Sequence, residues 1–251
     1  MNWKEITLYV GLPVGILILY IGGMIVITYP GEKLGYVIFS ERGIIEIGTA
    51  VCFLLASITA FLLWYKTDSK NVGKWKVAYL LIGFMALFVA LEEINYGQFF
   101  FGFNAPETLA KYNSKGEFNL HNLFENKPSH RLNLTASIIF PAFFMVLPLI
   151  AIHKHKTYKS RRWEYYLLPE RQLILFVVIG QLMSWFDDVF GFFDIHNTWT
   201  RATETKELYW SIAVLLWLLI LYRRIVLKPE AATDFSKSLS ETEQYAMAES
   251  K

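Results

Sequence analysis

The chain has 251 residues, of which 54% are hydrophobic, 17% aromatic and only 18% charged. That balance, a positive mean hydropathy and several apolar runs of about twenty residues exclude an ordinary soluble core and point to an integral membrane protein. A formal net charge of +2 gives no argument for a nucleic-acid partner, and the lone Cys52 excludes an intrachain disulfide.

The first predicted span covers residues 8–28, too long for the apolar core of a signal peptide, and Tyr29-Pro30-Gly31 ends it. A polar link through Ser40-Glu41-Arg42 leads into the second span, 43–65, where Glu46 stands four residues after Arg42 and could pair with it on one face. Trp64 and Tyr65 read as interface anchors, followed by a short basic link with Lys66, Lys70, Lys74 and Lys76. The third span, 77–101, is uncharged until Glu92 and Glu93, and Glu92 would share a helical face with Asn95 and Tyr96.

The longest loop follows. Asn104-Ala105-Pro106-Glu107 reads as a helix start, with a capping side chain, an early proline and an acid at the third helical position, and that helix should run through Tyr112. The fourth span, 134–152, carries Pro141 and Pro148, which should bend it. A second basic link includes His153, Lys154, His155, Lys156, Arg161 and Arg162. The fifth span, 173–193, has Gln181, Ser184 and Asp188 as a polar stripe beside Asp187, and a link containing His196 and Arg201 leads to the sixth, 207–227. The expected fold is thus an all-α six-helix transmembrane bundle over residues 1–228 with a partly helical outer loop. Residues 229–251 make an acidic tail expected to be flexible and cytoplasmic.

With six spans both termini lie on one side. That side carries fourteen of the Lys and Arg residues in and beside the spans, against eight on the other, so the positive-inside rule sets the termini in the cytoplasm of an inner membrane. Sixteen residues separate Lys76 from Glu92, Arg171 from Asp187 and Glu207 from Arg223. At ~1.5 Å per residue each acid stands ~24 Å from its basic anchor, near the outer edge of a ~30 Å hydrocarbon core.

Acids near hydrocarbon are costly and need partners. Carboxylates gathered in one layer cannot all stay ionised without cations. Glu92 and Asp188 with His121 or His196 form an oxygen-and-imidazole set suited to a zinc-like divalent cation. Glu93 or Asp187 would then act as general base toward a metal-activated water. At the membrane's outer edge the natural substrate is a lipid or a lipid-linked ester or amide, so the membrane's own lipids are the first expected partners. Two other readings stand beside this metal-dependent hydrolase. Intramembrane acids also mark ion or proton pathways, although nothing comparable lines the cytoplasmic half. Alternatively, Arg42, Arg131 and Arg201 could form with the acids a salt-bridged structural collar that seats a protein partner on the outer face. His121 in a polar loop equally reads as a surface hydrogen-bonding residue, and Ser184 has no histidine at helical spacing to make it a nucleophile.

Two stretches, Glu92-Glu93-Ile94-Asn95-Tyr96-Gly97-Gln98 and Gly116-Glu117-Phe118-Asn119-Leu120-His121-Asn122-Leu123, resemble a group of bacterial multi-span membrane proteins of unknown function. These carry two acids before an aromatic, Gly and Gln, then an Asn-Leu-His-Asn stretch. The resemblance covers the second span to the outer loop and implies no activity. More loosely, the chain is similar to alkaline ceramidase-type membrane hydrolases, which hold zinc with histidines and an aspartate inside a seven-helix bundle. It departs from them in having six expected spans and no paired histidines on a late helix.

Overall fold

The computed structural model describes residues 3–28, 43–68, 75–110, 137–150, 166–192 and 202–227, with Gly73 and Phe118. His121, His196, Arg42, Arg131, Arg201, both basic histidines of the second link and the tail from residue 229 lie outside them. Every regular element among the described residues is helical.

Helix α1 runs through Trp3–Ile6, a π-helical turn at Thr7–Gly11 and Leu12–Thr28. Helix α2 is Ile44–Lys66, and α3 is Trp75–Glu93. Two short helices follow, α4 at Gln98–Phe101 and α5 at Glu107–Ala110. The described part of α6 is Ser137–Ile150, with a π-helical turn at Ala142–Val146 directly after Pro141. A missing proline N–H relaxes the ladder at that point, which accounts for the widened turn. Helix α7, Ile174–Phe192, is entered through a tight turn at Arg171–Leu173. Helix α8 is Ala202–Tyr222, extended by a π-helical stretch at Arg223–Leu227.

Three segments are long and apolar enough to cross a membrane: Ile44–Lys66, Trp75–Glu93 and Thr205–Leu227. Their outward faces agree with that. On α2 the exposed residues Ile44, Ile47, Val51, Leu54, Leu55, Ile58 and Leu62 recur at helical spacing, and on α3 Val77, Leu81, Phe84, Met85 and Phe88 do the same. Continuous apolar stripes of this size are foreign to a soluble monomer and natural against lipid. The inward faces are built from small residues, Ala50, Ala56, Ser57 and Ala60 on α2 and Gly83, Ala86 and Ala90 on α3. Without a hydrophobic drive between helices in lipid, close backbone approach of this kind supplies the packing.

Directions follow from cross-helix contacts. Ser57 Oγ donates to the Gly83 carbonyl at 2.8 Å and Phe61 meets Phe84 edge-on, and the connection from Lys66 to Trp75 is too short to return along a helix of this length, so α2 and α3 form an antiparallel hairpin. Helix α8 runs parallel to α2: a Cβ added at Gly48 would lie 3.4 Å from Leu208 Cδ1, and one turn on Cys52 is hydrogen-bonded to Ser211. Gly180 of α7 sits against Tyr209 and Trp210, and Glu170 pairs with Arg224, so α7 opposes α8. Phe140 stacks on Trp210 while Phe143 and Phe144 meet Trp217, so α6 runs with α8. Tyr209 donates to the Pro13 carbonyl at 2.7 Å, and Tyr9 lies within electrostatic reach of Glu170 and Arg223, so α1 opposes α8. The six long helices therefore alternate in direction along the chain. Helix α8 is the hub, with Tyr209, Ala213, Leu218 and Leu221 completely or almost completely buried.

One end of the bundle is closed by the stretch Tyr166–Glu170. Tyr79 of α3 donates to the Tyr166 carbonyl at 2.6 Å, and Trp217 of α8 donates to the Leu167 carbonyl at 3.0 Å. Leu168 is fully buried between them.

Candidate functional site

The opposite end carries the acids. Glu92 occupies the last turn of α3 and is 6% exposed, and Glu93, which ends the helix, is half-buried. The expected continuation of this span to residue 101 does not occur. After Ile94 the backbone turns left-handed at three successive residues, Asn95 (φ 49°), Tyr96 (φ 51°) and Gly97 (φ 88°), before α4 resumes. Glycine enters that region freely, whereas Asn tolerates it and Tyr resists it. Strain of ~1–2 kcal/mol for a residue such as Tyr96 persists only where surrounding contacts hold it.

Those contacts are visible. The Tyr96 hydroxyl is hydrogen-bonded to Glu92, Asn95 is 1% exposed, and the Gly97 N–H donates to the Ile94 carbonyl at 2.9 Å. The Gln98 side-chain oxygen accepts the Phe118 N–H at 2.8 Å, and the Phe118 ring meets Tyr96 and Phe103 edge-on. Phe118, distant in sequence, thus touches the stretch that follows Glu93. The expectation that Glu92, Asn95 and Tyr96 share one helical face needs correction: the helix ends between them, and Tyr96 returns to Glu92 through the left-handed turn instead.

Helix register tests the shared depth of the other acids. Counting back along α2 from Ser57 to Glu46, and forward along α3 from Gly83 by as many residues, reaches Ile94 beside Glu93. Glu46 lies two residues before Gly48, which faces Leu208, the neighbour of Glu207. Glu46, the Glu92-Glu93 pair and Glu207 therefore stand at one level, and all four take part in polar or electrostatic interactions. Asp187 and Asp188 lie on α7, about two turns past Gly180. The register of Gly180 against Tyr209 and Trp210 puts their backbone beside the first turn of α8, beyond Glu207 rather than level with it. Their side chains, like His121 and His196, are outside the described residues. Among the described residues no three His, Cys, Asp or Glu converge into a metal-holding group.

Sequence reasoning missed two features. The tie from Gln98 to Phe118 had no local signal beyond the resemblance itself. The left-handed break did have one, because Asn95 and Gly97 are among the residues that tolerate positive φ. No family model matches the chain, and no curated protein or solved structure matches it either.

Proposed function

We propose that the chain is a six-span membrane protein whose acid-bearing end is a hydrolytic site for a lipid or lipid-linked ester or amide. The six-span reading is supported by the alternating directions of the long helices, and the basic-residue count supports cytoplasmic termini in an inner membrane. One observation carries the functional reading. A buried carboxylate, Glu92, sits beside a left-handed break that its own partner Tyr96 helps to hold, at the level of Glu46 and Glu207. Buried acids combined with stored backbone strain are typical of working sites rather than of plain helix packing.

In this reading Glu92 and Asp188, with His121 and His196, would hold a divalent cation that would supply Lewis-acid activation of water, and Glu93 or Asp187 would serve as the general base for hydrolysis of the ester or amide to an acid and an alcohol or amine. Covalent reach permits the loop histidine. His121 follows Phe118, which touches Tyr96, by three residues in the sequence. The hydrogen bond between Tyr96 and Glu92 favours a second reading, in which the carboxylate only braces the break and the acid layer is a structural collar. Elemental analysis of full-length protein purified without chelator separates the two. About one tightly held zinc-like ion, lost in Glu92→Gln and Asp188→Asn, is expected for the hydrolase. Metal-free protein whose substitutions only lower stability would establish the collar instead.

A further inference from the structure

Lys206 lies one turn before Trp210 on α8, in the half of the bundle that carries the acids, yet it is only 5% exposed. Among the described residues it makes no ion pair. Its ammonium rests over the Trp210 ring, 5.1 Å from the centroid. Trp210 is itself 7% exposed and held tightly: Phe140 of α6 stacks on it at 4.4 Å, and Gly180 of α7 lets that helix come within 3.2 Å of Nε1 as measured to an added Cβ. The indole Nε1–H is buried and has no hydrogen-bond acceptor. A buried cationic donor therefore lies over the face of an indole whose own N–H is buried where α6 and α7 pack on α8. Attraction of the ammonium to the ring offsets only part of the cost of removing it from water, and the indole N–H recovers nothing from the ring stack.

We propose that Lys206 and Trp210 form a binding site for an anionic oxygen group, a phosphate or carboxylate, presented by an anionic lipid headgroup at the membrane edge. One oxyanion can accept from the ammonium and from Nε1 together, satisfying both donors and neutralising the buried charge. This site does not depend on the hydrolytic reading, because it binds a headgroup whether or not the acid layer cleaves anything.

The test is equilibrium binding of short-chain phosphatidylglycerol to the full chain in neutral detergent, with phosphatidylcholine and inorganic phosphate as parallel probes. Phosphatidylglycerol should bind more tightly than phosphatidylcholine. Lys206→Gln should weaken phosphatidylglycerol by about tenfold or more, the worth of one charge-assisted hydrogen bond, while Lys206→Arg keeps it. Trp210→Phe retains a ring against Phe140, removes only the donor, and should weaken binding by about threefold to tenfold. Binding of inorganic phosphate alone, with the same dependence on Lys206, would keep the anion site but assign it to a soluble anion. Unchanged phosphatidylglycerol affinity in folded Lys206→Gln overturns the proposal. If that variant does not fold, Trp210→Phe decides: weakened binding upholds the site and unchanged binding overturns it.

Discussion

The α2–α3 interface can be tested at a single methyl group. A Cβ added at Gly83 would lie 2.7, 2.8 and 3.1 Å from Cε1, Cδ1 and Cζ of Phe61. Ordinary carbon–carbon contact is ~3.5–4.0 Å, so something must move by roughly 1 Å. If the ring moves, it leaves the edge-on contact with Phe84, whose centroid is 5.2 Å away. If the helices separate instead, the 2.8 Å bond from Ser57 to the Gly83 carbonyl stretches past useful length. Overpacking of this kind costs ~1–3 kcal/mol. An unhindered Gly→Ala change inside a helix gains ~0.5–1 kcal/mol, so the sign of the effect identifies the cause. Gly83→Ala should therefore lower stability by about 1–2 kcal/mol in reversible SDS unfolding from mixed micelles. In a Phe61→Ala background, with the ring gone, the same change should be neutral or stabilising. A Gly83→Ala protein as stable as the parent, or an equal loss in both backgrounds, would refute the packing argument.

Two further outcomes follow from the same structure. Gly97→Ala should cost more than Gly102→Ala by the same assay, because both glycines have positive φ (88° and 64°) but only the Gly97 methyl would also press on the Phe101 ring at 3.0 Å. The shared backbone part is ~1–2 kcal/mol, and equal losses would remove the role given to the Phe101 contact. Arg224→Gln and Glu170→Gln should each destabilise the protein, and together by about 1 kcal/mol less than the sum of the two, since their side chains are only 12% and 28% exposed. Strict additivity would show that the pair is not coupled.

Hydropathy located the long helices but not their ends, for a physical reason. An apolar run reports where lipid contact is tolerated, whereas a helix continues as long as its backbone hydrogen bonds do. Helix α8 accordingly starts at Ala202, before the predicted 207, because Thr205, Lys206 and Glu207 remain helical while leaving the apolar stretch. The third span went wrong in the opposite sense. Phe99, Phe100 and Phe101 kept the run apolar while Asn95, Tyr96 and Gly97 broke the helix beneath it. A fixed rise per residue turns spacing into height, which made the shared level of Glu92 and Glu207 legible, whereas Asp187, expected level with them, lies beyond Glu207 because spacing from a basic anchor does not fix how far each helix is shifted along its neighbours. The burial of Lys206 was not, since a lysine near a span end ordinarily extends toward the headgroups. Its ammonium instead lies over the ring of Trp210, which α6 and α7 hold in place.

The central position of α8 also bears on how the protein is made. The α2–α3 hairpin is assembled from neighbouring sequence and can close as soon as both helices have entered the membrane. Helix α8, which touches α1, α2, α6 and α7, leaves the ribosome after all of them. Until it arrives, the α2 face at Gly48 and Cys52 and the Pro13 carbonyl of α1 lack the partners they have in the finished bundle. The nascent chain must therefore carry an open seam until α8 has been made, and α8 is the helix that closes it.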